Sequence, residues 1–129
     1  MRQEDQKKTE EGLELLRELK EKRGGSLLDF HRKCANVPEL LTAFNQQYDI
    51  CNKECRSLPR KTREMILMAL GCSKGVTTTI ETHARLAVEN GATVEEIGEV
   101  LRLVFFYCGA SDLIPAVEIF ENLKGSEAL

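Results

Sequence analysis

The stretch GVTTTIETHARLAVENGATVEE, from Gly75 to Glu96, predicts one helix, its end and the beginning of the next helix. Apolar residues recur at helical spacing from Thr77 to Asn90, and Gly91 stands where a helix commonly ends on a left-handed glycine. The following TVEE, Thr93 to Glu96, is a capping box whose first and last residues satisfy each other's backbone N–H groups. The pattern therefore predicts two consecutive helices and places His83 inside the first one.

Helical spacing continues over most of the remaining chain, with glycine and proline at the edges of the periodic segments. The predicted fold is an all-α bundle of about six to seven helices. The first predicted helix covers residues 2–23 and is ended by Gly24–Gly25, and a short second helix is capped by Ser26 and runs through Cys34. The third begins at Asn36 or Pro38, and its apolar face consists of Leu40, Leu41, Phe44 and Tyr48. The other predicted helices run from near Pro59 through Cys72, from Thr93 onward, and from Ser111 or Pro115 to Lys124.

The beginning of the chain differs in composition from the rest. Residues 2–23 carry seven acidic and seven basic side chains, and their aliphatic residues form one short stripe of leucines at positions 13, 15, 16 and 19. A stripe of this length is typical of an amphipathic helix and too short for a coiled coil. We therefore interpret residues 1–25 as a charged helical arm and residues 26–129 as the helical domain.

The length, net charge and cysteine content of the chain exclude several classes of function. The chain has 129 residues, a formal net charge of -3 and five cysteines. No basic stripe predicts a nucleic-acid partner, and no apolar run approaches the length of a membrane span. An odd number of cysteines without a secretory signal favours reduced thiols, so a cytoplasmic protein is expected.

Two of the predicted helices are apolar on more than one face. Residues 64–72, EMILMALGC, are apolar almost all round. In the helix after Thr93, one face contains Ile97, Val100, Leu101, Val104 and Phe105, while Leu103, Phe106 and Tyr107 crowd another. Because monomeric proteins rarely expose large apolar patches, this pattern predicts a homo-oligomer.

A candidate proton-transfer pair follows from the same helices. His83 lies beside Thr79 within the predicted core-facing stripe of Ile80, Ala84, Ala87 and Val88, and Glu64, Met68 and Cys72 share one side of the preceding helix. A short turn at residues 73–76 would bring these two sides together. A carboxylate beside an imidazole in apolar surroundings can take part in general acid–base catalysis. A core histidine that is simply hydrogen-bonded explains the same pattern.

The sequence favours no metal site. His31 and Cys34 are three residues apart and Cys51 and Cys55 four apart, but no paired CxxC or histidine-rich helix completes a tetrahedral set of ligands. Free cysteines also behave as small buried apolar residues. We therefore predict no metal site.

From Glu64 onward the chain resembles the carboxymuconolactone decarboxylase family, which shares its fold with alkylhydroperoxidase D-like proteins. The resemblance lies in LPRKTREMILMALGC (58–72) and in ETHARLAVENGATVEEIGEVLRLVFFYCGAS (81–111). It implies an all-α fold built on a helical hairpin and assembled as homotrimers or homohexamers, with pockets near the subunit contacts. It also implies functional roles for a glutamate and a histidine placed as Glu64 and His83 are here.

The peroxidase branch of this fold carries C-x-x-C-x-x-x-H, which would place cysteines at Val76 and Thr79. Both cysteines are absent, and that chemistry needs a nucleophilic thiolate with a resolving thiol in reach. Cys72 and Cys108 remain as an alternative thiol pair for a peroxidase or disulfide reductase. A non-catalytic oligomeric protein that binds a small molecule is a third reading.

The decarboxylase branch needs neither those cysteines nor a cofactor, and the resemblance implies a small substrate that carries carboxylates, such as an acidic lactone. His83 would deliver or shuttle a proton to carbon, and Glu64 would orient His83. The expected pocket residues are Cys72, Val76, Thr79, Tyr107 and Arg85, the last as a cation for a substrate carboxylate. Arg85 points about 200° away from His83 on the helix, so it would have to act across a subunit contact, and the alternative is a plain surface residue. After YCG the chain reads ASDLIPAVE, where decarboxylases of this family have a shorter continuation, so the choice of substrate stays open.

Overall fold

The computed structural model of the chain describes residues 2–53 and 56–124 and has, within them, seven α-helices and no β-strand. This confirms the all-α fold predicted from the sequence. A π-helical turn (Asp49–Lys53) follows the third helix and a 3₁₀ turn (Ala110–Asp112) precedes the last. The helices are α1 (Gln6–Lys22), α2 (Asp29–Cys34), α3 (Pro38–Tyr48), α4 (Arg60–Lys74), α5 (Thr77–Glu89), α6 (Val94–Cys108) and α7 (Ile114–Lys124).

The helices fall into two compact units that divide between Arg56 and Ser57. The first unit contains α1, α2, α3 and the π-helical turn, and the second contains α4 to α7. The separation of a charged arm at residues 1–25 from a domain at 26–129 stays a prediction.

No helix of the described residues is long and apolar enough to cross a membrane.

In the first unit, α1 packs against α3 through Leu19 and Leu41, whose side chains are fully buried. The glycine pair predicted to end α1 does so: the N–H groups of Gly24 and Gly25 bond to carbonyls of the last helical turn, and both residues have positive φ. Because those conformations suit glycine, the chain can leave the helix sharply at this point.

Two predictions for the first unit are wrong. Ser26 does not cap α2, which begins at Asp29; instead the N–H of Leu28 donates to Nδ1 of His31 at 2.9 Å. Burial, followed by the charges of nearby arginines, lowers the pKa of His31 to about 4, so its ring stays neutral and can accept this bond. Leu40 was placed on the apolar face of α3 but is 53% exposed, because α3 buries only the side that carries Leu41 and Asn45.

The second unit is built on a tight hairpin of α4 and α5. Gly75 ends α4 in the left-handed conformation (φ 66°), and the N–H of Val76 bonds back to the carbonyl of Gly71, so α5 begins at once. The two helices approach closely at Gly71, where a methyl group would lie 3.0 Å from Cγ2 of Thr79 and 3.1 Å from the backbone nitrogen of Ile80. This hairpin sets the distance between the side chains that face each other across it.

The capping box predicted for α6 is confirmed. The N–H of Glu96 donates to Oγ1 of Thr93 at 3.1 Å, and the N–H of Thr93 donates to Oε2 of Glu96 at 2.9 Å. Gly91, predicted to end α5, has φ 88°. Glu96 also binds Nζ of Lys61 at 2.7 Å, which ties the first turns of α4 and α6 together.

The core of the second unit is formed by small and medium apolar side chains from all four helices. Its fully buried members are Met68, Cys72, Ile80, Ala84, Ile97, Val104 and Ala116. Val88 was predicted to face this core but is 42% exposed, because α5 buries only a narrow stripe that contains Ala84 and Ala87. Phe105 shares the predicted face of Ile97 and Val104 on α6 but is 55% exposed, whereas Ile97 and Val104 are buried.

The second unit leaves an apolar surface on α4 and α6, as the sequence predicted. Leu103, Phe106 and Tyr107 of α6 are 67%, 86% and 88% exposed. Beside them an apolar groove of about 420 Å³ runs between α4 and α6, with Ile66 and Leu70 among its walls.

Candidate active site

A buried carboxylate lies at the centre of the α4–α5 hairpin. Glu64, in the second turn of α4, is only 3% exposed. Its Oε2 lies 2.6 Å from Nδ1 of His83, which α5 presents from the opposite side of the hairpin. Both halves of the pair are positioned by helical backbone, so the geometry depends on the packing of α4 on α5 and not on a loop. The structure thus brings together the two residues that the sequence singled out for proton transfer.

A third residue completes the cluster. Nε of Arg60, one helical turn before Glu64, donates to the other carboxylate oxygen, Oε1. The side chain of Arg60 is 49% exposed, so it reaches from the surface to the buried carboxylate. Arg60 is not among the site residues predicted from the sequence, although its i,i+4 spacing to Glu64 is the signal of an ion pair on one helix face.

The surroundings of Glu64 keep it ionised. Burial raises the pKa of this carboxyl, but the hydrogen bonds from His83 and Arg60 and the charge of Arg60 outweigh that effect. The net pKa lies below the usual 4.5. At neutral pH the site therefore contains a buried carboxylate that accepts two hydrogen bonds.

This carboxylate fixes the tautomer of His83. An ionised carboxylate can only accept hydrogen bonds, so Nδ1 of His83 must carry the proton that points to Glu64. Nε2 makes no hydrogen bond to any of the described residues, and the His83 side chain is 23% exposed. Nε2 is consequently the ring nitrogen that is available to exchange a proton with a bound molecule.

Three of the predicted pocket residues belong to the same hairpin. Thr79 is half-buried one helical turn before His83, and it packs against Gly71. Cys72 lies two turns beyond Glu64 on α4 and is fully buried in the core. Val76, at the start of α5, is 43% exposed. Their contact with a substrate stays a prediction.

The structure does not bring the other two predicted pocket residues to the Glu64–His83 pair. Arg85 is exposed and binds Oε1 of Glu89, one turn further along α5, at 2.7 Å. Tyr107 lines the apolar groove between α4 and α6, whose walls include neither Glu64 nor His83. Arg85 is separated from the pair because a helix turns about 100° per residue, so residues two positions apart face different sides. Tyr107 belongs to another helix, α6, and faces the groove there.

The thiols near this hairpin are poor nucleophiles at neutral pH. Burial raises the pKa of Cys72, and the negative charge of Asp112 raises it further. Partial burial and Asp112 likewise raise the pKa of Cys108. Because the thiolate is the reactive form, these environments are the opposite of those that activate a redox cysteine. Within the described residues, no three histidine, cysteine or acidic side chains are grouped so as to hold a metal ion.

The fold and the site define a class of protein: an all-α protein in which a helical hairpin pairs a buried glutamate with a histidine. Residues 38–122 match the carboxymuconolactone decarboxylase family, and the chain therefore belongs to that family. It is also 28% identical, over 93 residues, to an uncharacterised protein of Methanocaldococcus jannaschii, a match that covers 71% of this chain and 85% of that protein. No solved structure matches the chain.

Proposed function

We propose that the protein is a cofactor-free carboxy-lyase that acts on an acidic lactone, or a related small carboxylate, by proton transfer through His83. The observation that carries this proposal is the hydrogen bond between the buried, ionised Glu64 and Nδ1 of His83. That bond orients the ring and leaves Nε2 for the substrate. Family membership agrees with this chemistry, although the family also contains peroxidase-like proteins.

The reaction proceeds by breaking the bond between a substrate carbon and its carboxylate. Carbon dioxide leaves, the electron pair of that bond passes into the unsaturated lactone, and protonated Nε2 of His83 delivers a proton to carbon. Glu64 stabilises the imidazolium before the transfer and holds the neutral ring in one tautomer afterwards. His83 regains its proton from solvent, which its partial exposure permits. No oxidant or reductant is required.

The alternative of a thiol peroxidase or disulfide reductase has less support. The residues that would do this work are Cys72 and Cys108, and both have raised pKa values. A non-catalytic binding protein of the same fold would explain the packing, but it gives no reason to keep a carboxylate buried against a histidine. Burying such a charge is costly unless its hydrogen bonds compensate for the lost hydration.

We also propose that the chain assembles with copies of itself, as a trimer or hexamer, through the apolar surface of α4 and α6. The exposure of Leu103, Phe106 and Tyr107 beside an apolar groove supports this, because such a surface is costly to leave in water. The free thiols of Cys34, Cys51, Cys72 and Cys108 fit a reducing, cytoplasmic setting.

The test of the proposed reaction is turnover of 4-carboxymuconolactone by the wild type and by His83→Ala, Glu64→Gln and Glu89→Gln. Glu89 is the matched control, since it pairs with Arg85 at the surface of α5. We expect turnover that falls by at least about 100-fold in the first two variants and stays unchanged in the third. Absence of turnover by folded wild type would exclude the decarboxylation of 4-carboxymuconolactone, and turnover that survives in His83→Ala would rule out proton transfer through His83.

A further inference from the structure

Arg60 has more hydrogen-bonding capacity than Glu64 uses. A guanidinium carries five N–H donors in a rigid fork, and Glu64 accepts from the one on Nε. The donors on the two Nη atoms make no hydrogen bond to any of the residues that the structure describes, while the side chain is 49% exposed. Arg60 therefore has an open edge that can bind a planar anion with two parallel hydrogen bonds.

The position of Arg60 distinguishes it from other cations of the second unit. Lys61, Arg85 and Arg102 each bind a carboxylate other than Glu64, namely those of Glu96, Glu89 and Glu99. Arg60 and His83 instead bind the two oxygens of one carboxylate group, so the guanidinium and the imidazole are both held against Glu64. With His83 protonated, the cluster has a net charge of +1 (+1 for Arg60, -1 for Glu64, +1 for His83), which favours an anionic ligand.

We propose that the open edge of Arg60 binds a carboxylate of the substrate and thereby places the reacting carbon beside Nε2 of His83. This inference rests on the proposed function and adds to it a requirement on the substrate, which must carry a carboxylate that survives the reaction. The departing carboxylate loses its charge as carbon dioxide forms. A guanidinium bound to it would stabilise the ground state more than the transition state and would slow the reaction. Arg60 therefore binds the carboxylate that is retained.

A ligand that cannot react separates binding from catalysis. Muconolactone has the lactone and one carboxylate but lacks the departing group, and its methyl ester removes the remaining charge. We would measure the affinity of both by calorimetry for the wild type, Arg60→Gln, Arg60→Lys and the control Arg17→Gln, after checking by circular dichroism that each variant is folded. Arg17 pairs with Glu14 at the surface of α1. Arg60→Lys keeps a positive charge near Glu64 but loses the fork.

We expect Arg60→Gln to weaken binding of the acid by about 10- to 100-fold, as for the loss of hydrogen bonds between charged groups. Arg60→Lys should weaken it less, Arg17→Gln should change it by less than about twofold, and the ester should bind all four proteins alike. A merely structural role of Arg60 would weaken acid and ester equally, and that result would overturn the proposal. Failure of the wild type to bind the acid would overturn it as well.

Kinetics separate this inference from the proposed reaction. If 4-carboxymuconolactone is the substrate, Arg60→Gln should raise KM while kcat changes much less, because a retained carboxylate is bound equally in ground and transition states. Turnover that needs His83 but shows an unchanged KM in Arg60→Gln would keep the reaction and refute the role of Arg60. Acid binding that depends on Arg60, without any turnover, would keep the anion site and refute the decarboxylation of 4-carboxymuconolactone.

Discussion

Replacing Glu64 by glutamine should destabilise the protein and also disable His83. The carboxylate accepts from Nδ1 of His83 on one oxygen and from Nε of Arg60 on the other. An amide of the same shape has one accepting oxygen and one NH₂ group, so it either sets its NH₂ against the N–H of His83 or forces His83 into the tautomer with the proton on Nε2. At a position that is 3% exposed, water cannot easily take the place of the lost acceptor.

The magnitude follows from the loss of a buried, charge-assisted hydrogen bond. Such a bond contributes about 1.5–3 kcal/mol, so the free energy of unfolding at pH 7 should fall by about 2–3 kcal/mol. For a chain of this size, that loss corresponds to a midpoint lowered by roughly 6–12 °C. The assay is equilibrium unfolding in urea followed by circular dichroism, with Glu89→Gln as the surface control.

The difference between wild type and Glu64→Gln should also depend on pH. The pKa of Glu64 is lower in the folded protein than its usual 4.5, so its stabilising effect is fully present above that value. The effect is lost as the pH falls through the folded pKa, and the two proteins should then approach equal stability. A Glu64→Gln variant as stable as Glu89→Gln at pH 7, or a difference that grows in acid, would refute the reasoning.

Three further predictions concern other parts of the second unit. Gly71→Ala should lower the free energy of unfolding by about 1–3 kcal/mol in urea titrations, because the new methyl group meets Thr79 and the α5 backbone; unchanged stability would contradict the close approach. Cys72 and Cys108 should react slowly with a disulfide reagent at pH 7 and faster as the pH rises, since both thiols have raised pKa values. A fast phase of this reaction, assigned to either cysteine by mass spectrometry, would instead support the peroxidase alternative. Phe106→Ser should shift the protein to smaller assemblies in sedimentation equilibrium, because it removes an apolar side chain that is 86% exposed; an unchanged mass would place self-association elsewhere.

The local patterns of the chain predicted its helices well. The TVEE box and the glycines that end α1 and α5 act through backbone groups a few residues away, so a short stretch of sequence is enough to predict these helix ends. The wrong assignments were those that depended on neighbours. Serine is a common helix cap, but in the structure His31 and not Ser26 accepts the hydrogen bond at the start of α2, from the N–H of Leu28. The exposure of Val88 depends on the width of the stripe that α5 buries against the other helices.

The sequence by itself determined the all-α fold, the helical hairpin and the candidacy of Glu64 and His83, because helical periodicity and family motifs are properties of short segments. Only the tertiary structure decided that Nδ1 of His83 meets the carboxylate at 2.6 Å and that Arg60 binds its other oxygen. It also placed Tyr107 in the apolar groove, away from that pair. The reason is physical: spacing along a helix fixes which side a residue faces, whereas burial, ionisation and the choice of partner depend on which helix packs against that side.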